Sequence, residues 1–230
     1  MSASTTPRFG LIVAIAALAS AVAFLDGTIV NVALPAIGEE LGGGLSTQQW
    51  TVDAYLLTLS SLILFAGSVS DAFGRVLVLR IGLIGFGIAS IGVGLAPDPI
   101  VLIVARALQG AAGAFLVPSS LALITSLLNG PAQARAIGQW TAWTTAANLA
   151  GPLLGGLFVD LLSWRFAFLV QIIPIAITFV LLARLGHIDH RRDDAHLDLV
   201  SATLCTLGLG GVVFALIEQP NLGWGHPAIW

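Results

Sequence analysis

The chain has 230 residues, of which 57% are hydrophobic and only 9% charged, whereas a soluble domain carries about 25% charged residues. A mean hydropathy of +0.97 marks a membrane composition, and a net charge of −3 with all nine basic residues arginine gives no basic surface for nucleic acid. The single cysteine, Cys205, excludes an internal disulfide and a cysteine-only zinc site.

Arg8 followed by apolar residues has the outline of a signal peptide. The run from Phe9 to Pro35 is longer than a signal core of about 7–15 residues, however, and similar runs follow it. Windows of about 20 apolar residues predict seven helices, over 10–35, 48–69, 77–96, 99–127, 136–159, 164–184 and 198–218. The breaks between them are rich in Gly, Pro, Asn and Asp. Lipid admits only helices or closed barrels, and these runs lack strand alternation, so the expected fold is an all-α polytopic bundle of about seven transmembrane helices.

With the N-terminus inside, the cytoplasmic segments hold Arg8, Arg75, Arg80, Arg135, Arg184, Arg191 and Arg192, against Arg165 outside. This asymmetry sets the expected orientation. The ninth arginine, Arg106, lies inside the fourth span.

In the first predicted helix, Asp26 stands in an otherwise apolar stretch, where a charge costs at least about 2.5–3.5 kcal/mol. It lies nine residues before Pro35, about 14 Å below the outer end. Arg106 lies eight residues after Asp98, about 12 Å below the same side. Matching depths make the two natural partners, either as a working site or as a pair that only fixes helix packing. Ala19, Ala23 and Ala33 share the Asp26 stripe, while Thr28 and Asn31 form a second polar stripe. Asp53, near the outer end of the second helix, either reaches the interface or joins the transport path.

Past Gly67, near the end of the second helix, Asp71, Gly74 and Arg75 form a tight cytoplasmic turn in which Asp71 and Arg75 can tie two helix ends together. On the fourth helix Arg106, Gln109, Gly110 and Gly113 fall on one stripe. On the fifth, Asn148, Gly151, Pro152 and Gly155 do the same, with Gly156 adjacent. Pro152 frees the Asn148 carbonyl and predicts a bend, and the glycines permit close helix contact.

His187, His190 and His196 have no established metal spacing and read as a solvated loop. No nucleophile elbow, HExxH, P-loop or paired-carboxylate motif occurs. The expectation is a chain without enzymatic activity, cofactor or metal. Trp224 and Trp230 are expected at the outer interface.

Together these segments resemble the major facilitator superfamily, in particular its 14-helix drug:proton antiporter branch. "LDGTIVNVALP" resembles the branch's helix 1 signature, "GSVSDAFGRVLVLR" the superfamily's loop 2-3 motif, "RALQGAAGAFLVP" its helix 4 motif, "GPLLGG" the helix 5 antiporter motif and "SWRFAFLVQIIP" the start of helix 6. Ala72 and Val76 stand where the loop motif usually has basic residues.

The resemblance implies an N-terminal six-helix half built as a 3+3 inverted repeat over 1–184. A cytoplasmic loop over 185–197 and a seventh, linking helix over 198–230 would follow. It implies export of hydrophobic or amphipathic small molecules by alternating access, with protons as the coupling partner and Asp26 and Arg106 in the coupling site. A metabolite transporter of the same superfamily and a truncated or assembly subunit are the alternatives. The expected location is the cytoplasmic (inner) membrane, with a C-terminal half as the missing partner and no nucleic acid.

Overall fold

The computed structural model describes residues 6–185, 199–222 and 225. Nine helical segments follow one another among them: α1 Thr6–Leu41, α2 Gly44–Phe73, α3 Arg75–Gly94, α4 Pro99–Gly113, α5 Leu116–Leu127, α6 Gly130–Leu161, α7 Trp164–Leu169, α8 Ile172–Leu185 and α9 Leu199–Leu222. Since α5 continues α4 and α8 continues α7, the described residues form seven rods. His187, His190, His196, Trp224 and Trp230 lie outside the described residues.

Both interruptions within rods sit four residues before a proline, where the ring collides with the carbonyl one turn back and can take no hydrogen bond from it. Pro118 stands four residues after Ala114, and Pro174 four after Val170. The chain tightens at each place: Phe115 N–H reaches Ala112 O at 3.1 Å, and Ile173 N–H reaches Val170 O at 3.1 Å. The windows 99–127 and 164–184 ran through these breaks because hydropathy does not register a missing N–H.

The first helix does not stop at Pro35 as expected. It continues to Leu41 with Pro35 on an exposed side, and ends where Gly42, Gly43 and Gly44 all take positive φ, a region that suits glycine. Asp98 caps α4, its Oδ1 accepting from Val101 N–H at 2.9 Å, with Pro99 at the first helical position.

By length and composition, five of the rods can cross a membrane: Phe9–Leu41, Gly44–Phe73, Arg75–Gly94, Pro99–Leu127 and Trp164–Leu185. The 32 residues of α6 are long enough, at about 48 Å, but Gln133, Arg135, Gln139, Thr141, Thr145 and Asn148 dilute its hydropathy. Within α9 the described apolar stretch is Leu207–Leu216. This rod lies against α2, with Gly210 facing Ser61.

Two apolar cores divide the bundle. One gathers Ile15, Leu79, Leu83, Phe86, Leu116, Ile175 and Leu182. The other gathers Ile29, Val93, Leu102, Trp164 and Phe168. Along α1 the cores are separated at Asp26, along α3 at Ser90, along α4 at Arg106 and Gln109, and between α7 and α8 at Gln171, all of them buried. At the end of the bundle that holds the α3–α4 turn, Glu40 ties α1 to α7 and, through Arg165, to that turn. It accepts from Trp164 Nε1 at 2.7 Å and pairs with Arg165 at 3.1 Å, while Arg165 also donates to Ala96 O at 3.0 Å.

Candidate functional site: a buried polar layer

Asp26 and Arg106, matched in depth by the sequence, meet directly. Arg106 Nη1 donates to Asp26 Oδ2 at 2.6 Å, and neither side chain has any exposure. Small residues make the meeting possible: Ala19, Ala23 and Ala33 are buried along the same stripe of α1. On α4, Gly110 lets the backbone of α2 approach so closely that an added Cβ would strike Tyr55 O and Thr58 Oγ1.

Gln109, one turn beyond Arg106, fills two roles. Its Oε1 accepts from Arg106 Nη1 at 2.6 Å, and its Nε2 donates to Asp26 Oδ1 at 3.1 Å and to Ser90 Oγ at 2.9 Å. Arg106 Nε donates to Thr51 O at 2.8 Å. The guanidinium carbon lies 4.3 Å from the Tyr55 ring centre and 5.5 Å from that of Phe168, a cation–π setting favoured where water is excluded. Gln171, delivered by the break between α7 and α8, donates from Nε2 to Asp26 Oδ1 at 2.7 Å.

Such a layer suits a carboxylate in a dry interior. Among the described residues every hydrogen-bond partner of Asp26 is an N–H donor, and a buried charge is tolerable only when paired and hydrogen-bonded. Sequence reading missed Gln171, Ser90, Thr51, Tyr55 and Phe168. The only signals were a glutamine inside an apolar run, "FLVQIIP", and the chain's single tyrosine.

The remaining expected residues lie in different settings. Asn31 is exposed and donates to Gly27 O of its own helix at 3.3 Å. Asp53 is half-buried on α2, between Thr51 and Tyr55. Asp71 and Arg75 pair at 3.3 Å across Gly74, whose φ of 101° favours glycine. An added Cβ at Gly67 would meet nothing within 4 Å.

On α6, a Cβ at Gly151 would strike Thr28 Oγ1, and one at Gly155 would lie 3.0 Å from Ile29 O, while at Gly156 it would meet nothing within 4 Å. Pro152 leaves α6 continuous, and the Asn148 carbonyl it frees accepts from Thr28 Oγ1 at 3.0 Å. Between α1 and α6 runs a groove of about 610 Å³, lined by Ala14, Ala17, Leu18, Gln139, Trp143 and Ala147 among others.

The family model described as Major Facilitator Superfamily matches residues 16–224. The chain is 41% identical over 223 residues to the puromycin resistance protein pur8 of Streptomyces alboniger, covering 96% of this chain and 44% of that one. It is 35% identical over 216 residues to the methylenomycin A resistance protein of Bacillus subtilis, covering 93% and 46%. The chain thus spans less than half the length of these relatives. A crystal structure of the peptide transporter POT shares the fold, with a TM-score of 0.69 at 13% identity over 97% of this chain and 48% of that one. The chain belongs to the major facilitator superfamily and is a multi-pass membrane protein.

Proposed function

We propose that the chain forms the N-terminal half of an exporter that moves hydrophobic or amphipathic small molecules, unchanged, in exchange for protons. The observation that carries this reading is the Asp26–Arg106 pair, buried without exposure at the middle of the bundle and met on α1 by Gln109 and Gln171. A carboxylate inside a membrane span is a functional group by default. Relatives named for cephamycin export and for tetracenomycin C resistance and export support the export direction. The groove between α1 and α6, lined mainly by alanine with Trp143 and Gln139, suits an apolar cargo with one polar edge.

In this reading a C-terminal half completes the path, and alternating access rocks the two halves around the midplane site. The arginine distribution supports a cytoplasmic N-terminus in the cytoplasmic membrane. The test is efflux from intact cells making the chain together with a complementary C-terminal half. Asp26→Asn is expected to abolish proton-driven efflux while membrane insertion, read by fractionation, stays intact. Unchanged efflux in that variant overturns the role.

A further inference from the structure

Every partner that the structure gives Asp26 is a donor: Arg106 Nη1 on Oδ2, with Gln109 Nε2 and Gln171 Nε2 on Oδ1. That shell fits the carboxylate and misfits the acid. A protonated carboxyl carries an O–H that needs an acceptor, and leaving it without one in a dry interior is unfavourable.

The three donors differ in what they can offer instead. Arginine has no acceptor atom. Gln109 has one, but its Oε1 is already held by Arg106 Nη1 at 2.6 Å, so turning its amide would set an NH2 group against a guanidinium. Gln109 is locked. Among the described residues the Oε1 of Gln171 is buried without a partner. Rotating this amide by half a turn breaks no other side-chain bond and presents Oε1 to Asp26.

We propose that Gln171 is the residue that reads the protonation state of Asp26. Its Nε2 donates to the carboxylate, and its amide turns so that Oε1 accepts from the acid. The step is the transfer of one proton from hydronium to an Asp26 oxygen: an O–H bond of the hydronium breaks, an O–H bond forms on the carboxyl, and water is left. The proposal rests on Asp26 as the titrating group. Of the other ionisable groups, Arg106 of α4 pairs with it and Tyr55 of α2 stacks on that guanidinium, while Asp53 is half-buried elsewhere on α2 and Asp71 pairs with Arg75 at the helix end. The charges of α3, α6, α7 and α8, namely Arg75, Arg80, Arg135, Asp160, Arg165 and Arg184, lie toward helix ends.

The mechanical setting favours such a turn. Gln171 occupies the break that Pro174 imposes between α7 and α8, so its side chain is not stacked within a continuous helical face. A positioning residue in this place links proton uptake to the joint between two helices.

The test is difference infrared spectroscopy of the full chain in lipid nanodiscs across a pH titration. The unmodified chain is expected to gain a carboxylic C=O band that Asp26→Asn lacks, together with a shift of an amide C=O band that Gln171→Met lacks, both with one midpoint. Glutamine labelled with 13C at Cδ identifies the amide band in the unmodified chain should Gln171→Met not fold. A carboxylic band that titrates while the glutamine amide stays still, or an amide shift that survives in Gln171→Met, overturns the switch and leaves Asp26 as the titrating group. Absence of any band lost in Asp26→Asn overturns both this proposal and the coupling role beneath it.

Discussion

At Gly110 an added methyl group would land on the Tyr55 carbonyl and the Thr58 hydroxyl, whereas at Gly156 it would meet nothing within 4 Å. Gly110→Ala is therefore expected to force α4 from α2 and lower stability by about 1–3 kcal/mol, read as an earlier thermal transition in detergent. Gly156→Ala should leave that transition unchanged. The two glycines look alike in the sequence, because a motif gives spacing along a helix but not the azimuth at which a neighbour arrives. Asp26 and Arg106 were legible since each carries its own energetic oddity and depth follows from counting residues. Gln171 was not, because a neutral amide in an apolar run has many bland explanations and its partner depends on how three helices are rotated.

Helix breaks explain the rest of what the sequence concealed. A helical wheel drawn through 164–184 as one rod turns Gln171 to the wrong azimuth, because the chain slips at Val170 and Gln171 before α8 begins. Glu40 was lost in the same way: with Pro35 taken as a helix end, its side chain fell into a loop, whereas α1 carries it to Trp164 and Arg165.

Pro152 behaves differently from Pro118 and Pro174, since α6 stays whole and Thr28 supplies the hydrogen bond that Asn148 O lost. Thr28→Val is expected to cost about 0.5–1.5 kcal/mol. In a Pro152→Ala background the restored N–H takes over that carbonyl, so the same substitution should cost less. A double-mutant cycle measures the difference, and equal losses in both backgrounds would show that Thr28 does not serve this carbonyl.

Viewed as a whole, the bundle exposes two kinds of surface. Along α3 and α4 it presents Ile84, Ile88, Ile91, Ile100 and Leu108, a belt fit for acyl chains. Along α6 one side exposes Thr141, Thr145 and Asn148, beside a second stripe of exposed Leu149, Leu153 and Leu157. In a chain whose Cys205 is replaced by serine, Thr145→Cys should react with a water-soluble thiol reagent and Ile88→Cys should not. Equal protection of both positions would place both in lipid.

The polar residues that dilute α6 thus act as a compass. Hydrocarbon has no partners to offer amides and hydroxyls, so the side of α6 holding Thr141, Thr145 and Asn148 is expected to face water or another bundle, and the isoleucine wall of α3 and α4 to face lipid. The bundle has a front and a back before anything docks on it.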